Sequence, residues 1–282
     1  IENLEACMGI LKPITDNKQP ATASAGRNLA VLLEYDGTDF CGYQYQPQVR
    51  TIQGELENAL KRLFGRPFRV NASGRTDAGV HALGQVAGFI LEHDIQVERL
   101  PLALNSVLPR DIVVKRAAEA KLSFHPRYSA VGKIYRYCII NRAQPSALLR
   151  NYTAFIPYKL DIDAMKRACS HLVGERNFAS MMSSGSPVKS TVRNLRRLEV
   201  KCRSDGLLIF TAEANGFLYQ MVRNIVGTLV DVGRGRLLPE EIPHILEAGD
   251  RKAAGPAAPP QGLYLQQVIY PEKIIRWCKD NA

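Results

Sequence analysis

Ten residues in the first third of the chain concentrate reactive side chains: Ser73-Gly74-Arg75-Thr76-Asp77-Ala78-Gly79-Val80-His81-Ala82. Two glycines around an acid make a tight turn that can bring backbone and carboxylate up to a ligand. Arg75 and Asp77 stand two apart. A neighbouring guanidinium favours the ionised carboxylate and is expected to lower its pKa. A carboxylate that stays charged at neutral pH can serve as nucleophile or base. The alternative is a structural turn whose Asp caps its own backbone. His81 could serve acid–base chemistry or a metal. No second His, Cys or Glu stands at ligand spacing, so a packed, hydrogen-bonded histidine is favoured and no metal site is expected.

Two further segments carry chemistry. Phe124-His125-Pro126-Arg127-Tyr128 runs toward Lys133-Ile134-Tyr135-Arg136-Tyr137, interleaving basic and aromatic residues. On a strand, Lys133, Tyr135 and Tyr137 share one face. Such a face can stack a base and hold a phosphate, or be an ordinary core strand. From Gly216 to Val232 the apolar pattern predicts a helix with one narrow polar or small stripe: Gln220, Arg223, Asn224, Gly227, Thr228 and Asp231. Either this stripe is a thin solvent face, or Arg223 faces a cleft and meets Asp77 or a phosphate. An arginine on a mostly buried helix needs an anionic partner. No P-loop, dinucleotide-binding glycine fingerprint, HExxH or GxSxG occurs, which argues against ATP-driven, NAD-linked, zinc-protease and α/β-hydrolase chemistry.

The elements that must position these residues read as strand, helix, strand, strand, helix, strand. Asn28–Tyr35 is a strand. A helix follows Thr51, which caps it, and ends at Gly65 and Pro67. Strands are expected near Phe68–Asn71 and at Gln85–Leu91, a helix over Val97–Val107 and a strand over Ile112–Ala118. The second half repeats the order. It has a strand at Lys133–Ile140, a helix capped by Asp161, and a hairpin of Leu195–Cys202 with Leu207–Ala214. The helix over Gly216–Val232, a short one over Pro239–Glu247 and a strand at Leu263–Tyr270 complete it. Two such halves predict an α+β protein of two ferredoxin- or RNA-recognition-like subdomains, with mainly antiparallel sheets meeting at a central cleft. The expected division is a flexible segment 1–26, an N-terminal domain 27–124 carrying Asp77, and a C-terminal domain 125–282.

The 282 residues carry 37 Lys and Arg against 27 Asp and Glu, a formal charge of +10. A chain this basic points to a polyanionic partner, nucleic acid first. Six scattered cysteines without a CxxC pair read as reduced thiols rather than a disulfide frame or zinc site. No apolar run reaches the length of a membrane span, and the first 26 residues carry acids and too short an apolar core for a signal peptide. The expectation is a cytoplasmic protein without membrane contact.

The segment Ser73–Ala82 resembles the catalytic signature of the TruA family of tRNA pseudouridine synthases. The resemblance extends through Leu33–Gln46, Thr51–Glu57, Phe124–Ala130, Tyr135–Tyr137, Phe178–Ser180, Met221–Gly227 and Gly262–Leu265. It implies that Asp77 is the catalytic aspartate and that Arg75 takes the place of the flipped base and pairs with the aspartate. By the same resemblance Tyr135 stacks on the uracil, Arg223 pairs with the catalytic carboxylate, and Leu263 packs against the base. Arg127 and Lys133 complete the expected substrate-binding set. The family isomerises uridines of the tRNA anticodon stem-loop, at tRNA positions 38 to 40, and works as a homodimer. The isomerisation transfers no electrons, so no redox cofactor or metal is expected. One departure stands out: Tyr43-Gln44-Tyr45 occupies the place where family members often show Trp-Gln-Arg.

Overall fold

The computed structural model describes residues 26–185, 188–272 and 274–278. All but Gly26 of the expected N-terminal segment lies outside the described residues. The first half runs β1 (Arg27–Tyr35), α1 (Ile52–Phe64), β2 (Asn71–Ala72), β3 (His81–Leu91), α2 (Leu100–Asn105) and β4 (Ile112–Ala120). Then come β5 (Gly132–Asn141), β6 (Ala154–Ile156), α3 (Ile162–Leu172), β7 (Gly174–Asn177), β8 (Val192–Cys202) and β9 (Leu207–Ala214). The chain ends on α4 (Met221–Gly233), α5 (Ile242–Ala248) and β10 (Leu263–Ile269).

Local chemistry explains the helix boundaries. Thr51 Oγ1 accepts from the Gly54 amide at 3.2 Å, and Asp161 Oδ1 accepts from the Ala164 amide at 2.9 Å. Each satisfies an amide that the first helical turn leaves unpaired. Gly65 closes α1 at φ 72°, the left-handed cap that glycine adopts without steric cost. The expected helix from Gly216 begins instead at Met221. Gln220 takes φ 57° there, a conformation that cannot continue a right-handed helix, so the preceding residues form a turn.

The strands form one mixed, mostly antiparallel sheet in the order β4-β1-β3-β10-β5-β9-β8-β7, with β2 on β3 and β6 on β5. This corrects the expectation of two separate sheets. The last strand returns to the middle, antiparallel to β5 and parallel to β3, with Tyr264 opposite His81 and Leu265 opposite Ala82. That pairing also explains why β3 begins at His81 rather than Gln85. The first half is ordered β4-β1-β3-β2 and the second β10-β5-β9-β8, so both halves use the same spatial order of strands.

One apolar core spans both halves, from Leu29, Leu33, Leu56 and Leu60 to Phe178, Phe210, Ile225 and Leu229. Burying each such side chain contributes roughly 1.5–3 kcal/mol. The edge strand β4 is covered by the C-terminal segment. Cys278 donates its amide to the Ala117 carbonyl, and Ala120 bridges Ile275. An open edge that could template aggregation is thereby paired. Among the described residues no helix is long and apolar enough to cross a membrane.

Candidate active site

Asp77 lies on the loop from β2 to β3, at the joint between the two halves. Its turn closes by a hydrogen bond from the Val80 amide to the Asp77 carbonyl, with Gly79 at φ 74°. The neighbouring loop packs directly on it: the Tyr43 amide donates to the Thr76 carbonyl at 3.0 Å. Gly42, at φ 91°, permits this approach, since a Cβ there would stand 2.9 Å from the Thr76 oxygen.

Helix α4 from the second half supplies the partner. Arg223 Nη1 donates to Asp77 Oδ2 at 3.2 Å, and Arg223 Nε donates to the Ala258 carbonyl at 2.7 Å. Both side chains are largely withdrawn from water, 13% and 24% exposed for Arg223 and Asp77. The backbone carbonyl thus aims the guanidinium at one carboxylate oxygen. Among the described residues Asp77 Oδ1 takes no hydrogen bond. Burial raises the Asp77 pKa above the ordinary 3.8, and the charge and hydrogen bond of Arg223 offset only part of that rise. This corrects the expected direction, which considered a neighbouring guanidinium but not desolvation. The expected pairing of Arg75 with Asp77 is also corrected, since Arg75 is exposed and makes no such contact among the described residues, whereas the expected pairing of Arg223 with Asp77 is present.

The polar stripe of α4 is not a solvent face. The segment 254–259 lies along it. The Ala258 amide donates to the Arg223 carbonyl at 2.9 Å, and the Gly255 amide donates to Thr228 Oγ1 at 3.0 Å. Asn224 accepts from Arg251 at 2.9 Å. At Gly227 a Cβ would stand 1.7 Å from the Pro256 carbonyl oxygen. Gly227→Ala therefore has to displace the segment that aims Arg223. We expect it to destabilise the fold by about 1–3 kcal/mol and to lower activity, as checked by urea unfolding and a turnover assay.

Tyr135 and Tyr137 share the predicted face of β5. Tyr135 is buried, its ring edge-on to Phe217 at 5.0 Å between centroids. Burial holds its hydroxyl well above the usual tyrosine range, and the charges of Tyr35 and Asp77 add to the shift. Tyr137 donates to the Pro259 carbonyl at 2.6 Å, which ties the segment over α4 to the sheet. Leu263, the first residue of β10, is buried opposite Tyr137. Arg127 is exposed, with its guanidinium 5.7 Å from the Tyr128 ring centroid. Lys133 is turned inward: its ammonium donates to the Ser73 carbonyl at 2.7 Å. Burial, with Arg127 adding to it, pushes its pKa down to about 8.

His81 is the packed histidine. Its Nδ1 accepts from the Gly37 amide at 3.0 Å, so Nε2 carries the proton and donates to the Asn151 carbonyl at 2.9 Å. Its ring stacks on Tyr264 at 4.9 Å. Burial lowers its pKa, although the Asp36 carboxylate, with Oδ1 3.2 Å from Nδ1, works in the opposite direction. In the departing Tyr-Gln-Tyr segment, Tyr43 is buried with its ring centroid 6.4 Å from that of Tyr35, whereas Tyr45 is 55% exposed.

Sequence reasoning missed the Ala258 carbonyl and Gln85, which lies buried behind the Asp77 loop. The signal for Gln85 was present. It is the one amide in an otherwise apolar stretch from Ala82 to Leu91.

The family model described as tRNA pseudouridine synthase matches residues 31–129 and 168–271, more than half of the chain. A curated relative from Caldicellulosiruptor bescii, named tRNA pseudouridine synthase A, is 49% identical over 244 residues, covering 86% of this chain and all of the relative. Relatives of the same name from Acetivibrio thermocellus and Halalkalibacterium halodurans are 46% and 47% identical. They cover 86% and 84% of this chain, and 100% and 90% of their own lengths. A carboxylate held against an arginine across two like-ordered halves therefore sits in a chain that belongs to the tRNA pseudouridine synthase family.

Proposed function

We propose that this enzyme isomerises uridine to pseudouridine in the anticodon stem-loop of tRNA, with Asp77 as the reacting group. The observation that carries the reading is the Asp77–Arg223 pair, largely withdrawn from water at the joint of the halves. The reaction breaks the bonds from C1′ to N1 and from C5 to its hydrogen, forms one from C1′ to C5 of the same uracil, and leaves N1 carrying a proton in place of the one that C5 loses. Atoms and electrons balance without a co-reactant. Asp77 does the covalent or proton-abstracting step through its unbonded Oδ1, while Arg223 holds Oδ2.

The target base must leave its stack first, at a cost of a few kcal/mol. Arg75, exposed beside Asp77, is placed to fill the vacated space in the RNA. Tyr135 and Leu263 form the apolar wall for the uracil, Tyr135 by its face. Arg127 meets the phosphate backbone. Lys133 serves the loop through Ser73 rather than a phosphate. The shared strand order supports a reading of the halves as two ferredoxin-like units, 27–124 and 125–282. The same family reading makes the enzyme a cytoplasmic homodimer, which light scattering on the purified protein tests.

The experiment is pseudouridine mapping on unmodified tRNA transcripts. Modified uridines confined to the anticodon arm support the proposal. Conversion elsewhere rejects the stem-loop assignment, and release of free uracil rejects isomerisation. Affinity should rest mainly on Lys and Arg against phosphate. We expect tRNA binding to weaken about tenfold or more between 50 and 200 mM salt, as read by filter binding. A flat salt response contradicts a phosphate-dominated interface.

A further inference from the structure

The loop that carries Asp77 is gripped from behind by three strands. From β3, Gln85 Nε2 donates to the Gly74 carbonyl at 2.7 Å, and Oε1 accepts from Ser73 Oγ at 2.6 Å and from the Val86 amide at 3.2 Å. From β1, the Tyr35 hydroxyl bonds Thr76 Oγ1 at 2.8 Å and lies 3.5 Å from Gln85 Nε2. From β5, Lys133 reaches the Ser73 carbonyl over Gly74, where a Cβ would stand 2.5 Å from the ammonium. Residues 73, 74 and 76 are therefore fixed, and the two residues between and after them, Arg75 and Asp77, face the substrate side.

The amide of Gln85 has two donors and two acceptor sites, and all four are engaged. Gln85 and Ser73 are fully buried, and Tyr35 and Thr76 nearly so. An apolar side chain would suit this strand and would carry no desolvation cost. A fully satisfied buried polar network instead enforces one geometry. That geometry is the backbone of the loop bearing Asp77.

We infer that Gln85 and Tyr35 are positioning residues for the isomerisation: their buried brace sets the loop backbone and hence the place of Asp77 against Arg223. The inference rests on the reading of Asp77 as the reacting group. Neither residue touches the substrate. Misplacement of a reacting group by about 1 Å can cost about a hundredfold in rate.

The test compares wild type, Tyr35→Phe, Gln85→Leu and Asp77→Asn as full chains on one unmodified tRNA transcript. Single-turnover rate, tRNA Kd and urea unfolding are measured for each. Tyr35→Phe removes only the hydroxyl, so it carries the test if Gln85→Leu does not fold. The expected result is a rate about tenfold to a hundredfold lower in each brace variant, with tRNA Kd within about twofold of wild type. Wild-type rates in folded brace variants, with Asp77→Asn inactive, overturn the inference. So does a fall in rate matched by an equal loss of tRNA affinity, which marks a merely structural role. Activity retained by Asp77→Asn is a different failure: it removes the reading of Asp77 itself.

Discussion

Asp77→Ala should lower the rate of uridine conversion by at least about 10⁴-fold, because under the proposed function it removes the group that attacks or abstracts a proton. Binding of tRNA should change little, since affinity resides in basic residues elsewhere. Asp77→Asn keeps the shape and should be equally inactive, but its stability tells more. Burial raises the folded-state pKa of Asp77 above its unfolded value near 3.8. The folded state therefore holds the charged carboxylate at a cost. That cost is absent below the unfolded pKa and grows as pH rises through the interval up to the folded pKa. Asp77→Asn should be more stable than wild type at pH 7, and the gap should close as pH is lowered toward 3.8. Urea unfolding at several pH values checks this. Equal stability at all pH values contradicts the strain assigned to the buried carboxylate.

The second large effect belongs to Arg223. Its charge and hydrogen bond are what lower the Asp77 pKa against the larger effect of burial. Arg223→Met removes both and leaves a carboxylate facing apolar surroundings. Asp77 must then lose its proton at a higher pH. If Asp77 reacts as proposed, activity requires its ionised form, so the acid limb of the pH–rate profile should move upward. At neutral pH the rate should fall about a hundredfold, from lost ionisation and lost aim together. Arg223→Lys keeps the charge but cannot at once satisfy the Ala258 carbonyl and Asp77 with a planar fork. It should restore the position of the acid limb better than the rate. A pH–rate profile for the three proteins decides the matter. An acid limb that stays in place in Arg223→Met contradicts the electrostatic role.

What was legible in the sequence was local. Thr51 and Asp161 cap helices and Gly65 ends one, because each acts within a few residues of its own position. Order and type of the main elements followed. The insertion of β10 between β3 and β5 was not legible, since its partners lie more than a hundred residues away and register is set by the assembled sheet. The start of α4 was missed for a different reason. Its apolar pattern continues upstream to Phe217, and only the left-handed backbone of Gln220 breaks it.

The site shows the same division. Asp77, Tyr135 and Arg223 were singled out by residue type and motif, and the structure brings Asp77 and Arg223 into contact. The direction of the Asp77 pKa was misread because the adjacent arginine is visible in sequence while desolvation is not. The stripe on α4 was visible, but what covers it was not: the 254–259 segment is far along the chain. Lys133 was read as a substrate contact from its neighbours, yet its amine faces the Ser73 carbonyl. Spacing along a strand gives a face, and the tertiary structure decides what that face meets.

The central claim is that Asp77 performs the isomerisation. Single-turnover pseudouridine formation on an unmodified tRNA, by wild type and Asp77→Asn at equal tRNA saturation, tests it most directly. The account predicts pseudouridine in the anticodon arm with wild type and none above background with Asp77→Asn, although both bind the tRNA. Conversion by Asp77→Asn at the wild-type rate would contradict it.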